Sequence, residues 1–314
     1  MEQIITLILE SGKAGIDMAL YIMLPIMVVM LALMKLLDAK GILSWLSNIL
    51  APLTRIFGVP GLGIFAMLKL LFVSFAGPIA TLTLMDQNGT SRRYIAATLA
   101  MVMAMSQANA SFPLAAFGLN LGVTLLTSIV GGLAAAAFTY YVLTRSLHDP
   151  DTPELVVKGS SPEEEKKTVM QILGDGGQEG MKIVLGMMPM LILAIFLVNI
   201  LKVTGAIEQL SFLIGPFLAL IGLPEATVLP IVTKFIAGGT AFVGVTIESM
   251  NQGLITANEL NRMAGFATNP LDLVGVAVFA AAGKRVGKII RYAVYGALFG
   301  MFIRGILHLM IFPA

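Results

Sequence analysis

No cysteine occurs in the 314 residues, histidine occurs twice, tryptophan once, and charged residues make up only 12%. The missing thiols exclude disulfides, thiolate metal centres, iron–sulfur clusters and cysteine nucleophiles. His148 and His308 alone cannot build a histidine-rich metal site. No P-loop, dinucleotide fingerprint, HExxH or nucleophile elbow is present, so the reading is of a non-enzyme with no bound cofactor. The charge content is about half that of a soluble domain. What fills the space is apolar: 57% hydrophobic residues and a mean hydropathy of +0.91. That composition belongs to an integral membrane protein. The 20 methionines are dispersed through the apolar stretches and read as packing, not as a copper site.

Stretches long enough to cross a hydrocarbon core of about 30 Å fall at roughly 16–37, 120–143, 182–200 and 291–312. Four further apolar stretches are interrupted: 62–86 at Gly77-Pro78, 94–117 around Ser106–Pro113, 226–250 at Gly238-Gly239, and 263–282 at Pro270. Residues 41–57 and 205–222 have helical apolar spacing but too many polar residues to span, so they are expected in the interface, with Trp45 as an anchor. Residues 1–15 read as an amphipathic lead-in. They carry Glu2 and Glu10 and lack the basic start of a signal peptide. Between the halves, 145–180 has soluble character, and Ser161-Pro162-Glu163-Glu164-Glu165 is a good helix start, with Gly174 as its expected stop.

The two halves repeat. With Pro25 set on Pro189, Gly41 meets Gly205, Pro52 meets Pro216 and Gly58 meets Gly222, an offset of about 164. One residue later in offset, Lys69 meets Lys234, Thr81 meets Thr246, Gln87 meets Gln252 and Gln107 meets Asp272. Charge placement selects the arrangement. If 62–86 and 226–250 are hairpins that enter and leave on one side, 14 of the 20 Lys and Arg gather on one face, as the positive-inside rule asks. The expected fold is all-α and membrane-integral. Two inverted repeats each supply three transmembrane spans, a re-entrant hairpin and an interfacial amphipathic helix. The boundaries are 1–144, a cytoplasmic linker at 145–180, and 181–314, with both termini outside the inner membrane.

Irregular backbone at membrane depth needs protein or a water-filled cavity around it, and half-helix ends there bind solutes and ions. The four interruptions therefore mark the candidate site. Its substrate-binding candidates are Ser74, Ser106, Gln107, Asn109, Ser111, Thr240, Thr268 and Asn269, which suit a neutral polar solute. Any of the hydroxyls could instead bond its own helix. Asp272 is an acid at depth and is assigned to ion coupling, with Na+ or H+ as the ion; the alternative is a structural pair with Lys234. Lys69 and Lys234 are expected to snorkel towards the interface.

The stretches LPIMVVMLALMKLLDAKGILSWLSNILAPLTRIFGVPG and MPMLILAIFLVNILKVTGAIEQLSFLIGPFLALIGLPE, with KLLFVSFAGPIATLTLMDQNG and KFIAGGTAFVGVTIESMNQG, carry a family resemblance. The chain resembles membrane proteins with the nucleoside-recognition or Gate domain, including paired spore-maturation proteins, as though two were fused. The resemblance implies a fold related to concentrative nucleoside transporters, in which two hairpin tips and two unwound helices form the substrate and sodium sites. By position these are 74–78, 106–111, 238–240 and 268–272. The tips here lack the acids and amides of those transporters. Ferrous-iron permeases share the domain but use a cysteine absent here. The expected function is ion-coupled, secondary-active symport of a small polar organic solute, a nucleoside or related metabolite, by alternating access. Alternatives are a membrane scaffold or regulator of an envelope process, and a cation or metal permease. Expected partners are the lipid bilayer, the solute and further copies of the chain, not a nucleic acid polymer.

Overall fold

The structure, a computed structural model, describes residues 2–73, 75, 77–147 and 167–313. Ser74, His148 and the helix start expected at Ser161–Glu165 lie outside the described residues. Those described are helical, with no strand among them. Helix α1 (Glu2–Asp17) passes through one turn of wider π-helix at Met18–Met23 into α2 (Leu24–Ala39). The lead-in and first span are thus one continuous rod. Gly41, in the left-handed region at φ 71°, lets the chain turn into α3 (Ile42–Thr54). Helix α4 (Gly61–Phe72) follows, bent by 109° from the α3 segment. Next come α5 (Gly77–Gln87), α6 (Arg92–Ala104), α7 (Ala108–Ala115) and α8 (Leu121–Phe138).

The second half contains α9 (Val169–Val203), α10 (Ala206–Leu220), α11 (Val228–Asn251), α12 (Ala257–Ala267), α13 (Leu273–Ala280) and α14 (Lys284–Ile311). Corresponding boundaries fall at the sequence offset: α6 begins at Arg92 and α12 at Ala257, α7 at Ala108 and α13 at Leu273. Local chemistry sets these starts. Ser91 caps α6, Thr256 forms a reciprocal capping box with Glu259 on α12, and Asp272 caps α13.

One sequence expectation is corrected here. Gly174 does not end a helix, because α9 runs through it from Val169, well inside the expected linker. The reason is packing: a Cβ at Gly176 would lie 2.7 Å from Ala32 Cα, and one at Gly180 2.8 Å from Met27 O. These glycines bring α9 backbone-to-backbone with α2, the use small residues have in membrane helix pairs. Helix α3 has two distinct faces. Ile42, Trp45, Ile49 and Leu53 are exposed, while Ser44, Ser47 and Thr54 are buried. Ser47 Oγ donates to Gly61 O at 2.7 Å. The small polar face thus tethers α3 to α4, and the apolar face is turned outward, the stable orientation where the surroundings are lipid.

Among the described residues, six helical stretches are long and apolar enough to cross a membrane: Ile4–Ala39, Arg92–Ala115, Leu121–Leu143, Val169–Leu201, Glu225–Asn251 and Lys284–Ile311. The protein is therefore a multi-pass integral membrane protein. This set differs from the six spans read from the sequence. Residues 263–282 are not among them. Glu225–Asn251 qualifies by length and composition, yet it is not straight. Gly238 has φ 87° and ψ 178°, a conformation open to glycine and costly to other residues. Leu229 and Val245, on either side of it, belong to one buried apolar cluster. On an unbroken helix they would stand about 24 Å apart. Helix α11 folds back at Gly238.

The native absence of cysteine makes this directly testable. A Leu229→Cys, Val245→Cys double variant is expected to form an intramolecular crosslink under mild oxidation, seen as a gel-mobility shift reversed by reductant. Failure to crosslink, with short bifunctional thiol reagents failing as well, would mean α11 is straight.

Candidate functional site

The four interruptions face one cavity of about 240 Å³. Its wall comes from Phe75 at the α4–α5 turn, Gln107 and Asn109 at the start of α7, Gly238, Gly239 and Thr240 at the α11 break, and Pro270, Asp272, Val274 and Gly275 leading into α13. Phe75 is held edge-on by Phe279, ring centres 6.3 Å apart. Gln107 reaches across to Gly239, where a Cβ would collide with its amide nitrogen. The two breaks are also joined through the backbone, Gln107 N donating to Thr268 O at 3.0 Å.

Of the residues singled out by sequence, the structure brings Gln107, Asn109, Thr240 and Asp272 to the cavity wall. The other described candidates are buried but hold the breaks together. Ser106 Oγ contacts Ser111 Oγ and lies 3.0 Å from Thr268 Oγ1. Ser111 donates to Gln107 O, and Thr268 to Ala264 O. Asn269 is consumed locally: its amide donates to Phe266 O at 2.8 Å and its oxygen accepts from Leu271 N at 3.0 Å. Asn109 is different. Its side-chain oxygen is buried, has no hydrogen-bond partner, and belongs to a residue on the cavity wall. An unsatisfied buried amide oxygen costs about 1–3 kcal/mol unless something donates to it.

Two buried cations complete the site. Lys234 is fully buried and forms an ion pair with Asp272, whose other oxygen accepts from Gly275 N at 2.7 Å. The expectation that Lys234 snorkels is thereby overturned: it points inward to a carboxylate that cancels its charge. Its repeat mate Lys69 instead pairs with Asp38 at 3.1 Å and lies over the Phe65 ring, partly exposed. The second cation, Arg304 on α14, escaped the sequence reading. It is fully buried and donates to Ala104 O at 3.3 Å, Ala264 O at 2.9 Å and the Thr268 hydroxyl. Those acceptors sit at the C-terminal ends of α6 and α12, so one guanidinium faces the negative dipole ends of both. His308, one turn on, lies between Thr127 Oγ1 at 2.8 Å and Asn261 O at 2.6 Å. The available signal was an arginine inside the apolar run 291–312, expensive at depth unless it has a role.

Fold and cavity define a polytopic helical membrane protein built around broken helices. Within it, residues 184–289 match the Gate family, described as nucleoside recognition. Among solved structures, the chain is similar to CNTnw, a concentrative nucleoside transporter, in its inward-facing substrate-bound state. That match has a TM-score of 0.67 and 16% identity, covering 93% of this chain and 75% of that one. A CNTnw variant in an intermediate state gives a TM-score of 0.71 at 14% identity over 91% of this chain and 74% of that one. At such identities the likeness is one of fold. Among curated proteins, the Fe(2+) transporter FeoB of Helicobacter pylori is 23% identical over 142 residues, 45% of this chain. The match spans only 22% of that transporter's length. The inner membrane protein YjiG of Escherichia coli is 26% identical over 144 residues, 44% of this chain but 94% of YjiG. Less than half of this chain therefore corresponds to nearly all of YjiG.

The bonding pattern separates scaffold from wall. Thr268→Val is expected to lower stability by about 1–3 kcal/mol, because it strips a partner from Ser106 and Arg304. Thermal unfolding in detergent should show the loss. Gly239→Ala is expected to leave the unfolding temperature nearly unchanged while displacing the flexible Gln107 amide, so the two variants separate folding from site geometry.

Proposed function

We propose that the protein is a secondary-active transporter of a small polar organic solute, a nucleoside or related metabolite, working by alternating access. The observation that carries this reading is the Asn109 oxygen, buried and unpartnered on the wall of a cavity formed by four chain breaks. A ring hydroxyl or amino group would satisfy it. Gln107 and Thr240 add further donors and acceptors, and Phe75 offers an apolar face to a flat ring. The cavity is somewhat below the roughly 300–1,000 Å³ of drug-sized pockets, which suits a small solute. The Gate match and the concentrative nucleoside transporter fold support the same class.

In this reading the halves 1–144 and 181–314 are inverted repeats, the basic face is cytoplasmic, the termini are outside the inner membrane, and copies assemble into a homo-oligomer. Asp272 is the acid through which an ion gradient acts on the site. A metal-permease reading draws on the similarity to the Fe(2+) transporter FeoB. It is the weaker one, because the one carboxylate lining the cavity among the described residues is already paired with Lys234.

Thermal-shift measurements with a panel of nucleosides, carboxylates and divalent cations should give saturable stabilisation by a nucleoside-like solute alone. Asn109→Ala is expected to weaken that binding about tenfold, the worth of one hydrogen bond near 1.4 kcal/mol, without lowering the unfolding temperature. Gradient-driven uptake into proteoliposomes then decides transport. Stabilisation by divalent ions and by no organic solute would replace this reading with the permease.

A further inference from the structure

The two buried cations lie where an inorganic ion would be expected in a protein built on broken membrane helices. Unwound carbonyls and helix C-termini are the usual ligands of a coupling ion. Here the C-terminal ends of α6 and α12 are already engaged by Arg304, through Ala104 O, Ala264 O and the Thr268 hydroxyl. Asp272, the only acid on the cavity wall among the described residues, is already engaged by Lys234. Both cations are fully buried; Lys234 comes from the first arm of the broken helix α11 and Arg304 from the unbroken helix α14. Each is bonded by groups that a metal ion would otherwise claim.

We propose that Lys234 is a tethered cation that takes the place of an inorganic ion at Asp272, so that the protein needs no sodium to fold its site or to bind solute. Charge balance gives the reason. A carboxylate buried beside the α13 N-terminus requires a positive partner, and removing one member of a buried pair leaves an uncompensated charge at high cost. A covalently attached ammonium supplies that partner at high effective concentration, and each carboxylate oxygen already accepts a hydrogen bond, one from Lys234 and the other from Gly275 N. The halves differ accordingly. The mate of Asp272 is Gln107, a neutral amide that needs no counter-charge, and Lys69 is free to pair elsewhere, with Asp38. The inference refines the ion-coupling part of the transporter reading, while its physical basis, the ion pair, does not depend on transport.

The test uses the purified full-length chain in detergent, melted in matched sodium chloride and choline chloride. Wild type is expected to unfold at the same temperature in both. Lys234→Met, which exposes the buried carboxylate to no partner, is expected to melt roughly 6–20 °C lower in choline, with saturable recovery as sodium is added. Lys234→Met combined with Asp272→Asn should lose the sodium response, and Lys234→Arg should behave as wild type. Saturable stabilisation of the wild type by sodium would overturn the proposal, as would a Lys234→Met melt indifferent to the cation. Should Lys234→Met yield no folded protein in either salt, the wild-type titration alone decides, a flat response upholding the proposal. A protein that moves no solute but shows this cation pattern keeps the tethered cation and loses the transporter reading. Uptake that requires sodium does the reverse.

Discussion

A helix broken inside a membrane leaves carbonyls and amides that hydrocarbon cannot satisfy, and the interior of this protein is arranged around that constraint. The chain breaks between α6 and α7, between α12 and α13, and at Gly238 within α11. Each break is answered by protein. Arg304 gathers the carbonyl ends of α6 and α12. Asp272 caps α13 and is in turn neutralised by Lys234. Ser106, Ser111 and Thr268 form a hydroxyl cluster that joins the two interrupted segments directly. Glycine at 238 permits the left-handed backbone of the α11 tip, and glycine at 239 lets that tip approach Gln107 without a Cβ in the way. The cavity is what remains at the meeting point once these needs are met.

That arrangement explains why chemically similar residues divide into two groups. Ser106, Ser111, Thr268 and Asn269 have their bonds within the protein, so their loss acts on stability. Asn109 has an unmet acceptor and sits on the cavity wall. Composition and position along the chain make these residues look alike, and only the partner of each atom tells them apart. The cations divide the same way. Lys69 and Lys234 occupy matched positions, yet one reaches a partly exposed Asp38 and the other a buried Asp272.

Much of the architecture was legible in the chain. Gly-Pro at 77–78, Ser106 to Pro113, Gly238-Gly239 and Pro270 are breakers set in apolar stretches, and each lies at a real break. The pairing of Gly41 with Gly205 and of Gln107 with Asp272 anticipated helix boundaries that fall at the same offset. Less legible was α9, where Gly174 reads as a stop. Its neighbours Gly176 and Gly180 are there for contact with α2, a partner about 145 residues away in the chain. The apolar spacing of α3 was legible as well; the tether of its buried face to Gly61 was not, because that partner lies on the next helix.

By itself the sequence determined membrane residence, the duplicated plan, the places where helices fail and the residue types available there. These are local properties, set by hydropathy, backbone freedom and spacing. Tertiary structure alone decided which atoms meet: that Lys234 turns inward to Asp272, that Arg304 faces two helix ends, and that Asn109 is left with an open oxygen. Such facts depend on residues tens to hundreds of positions apart, and at bilayer depth each polar group is bound to whichever partner the packing brings within reach.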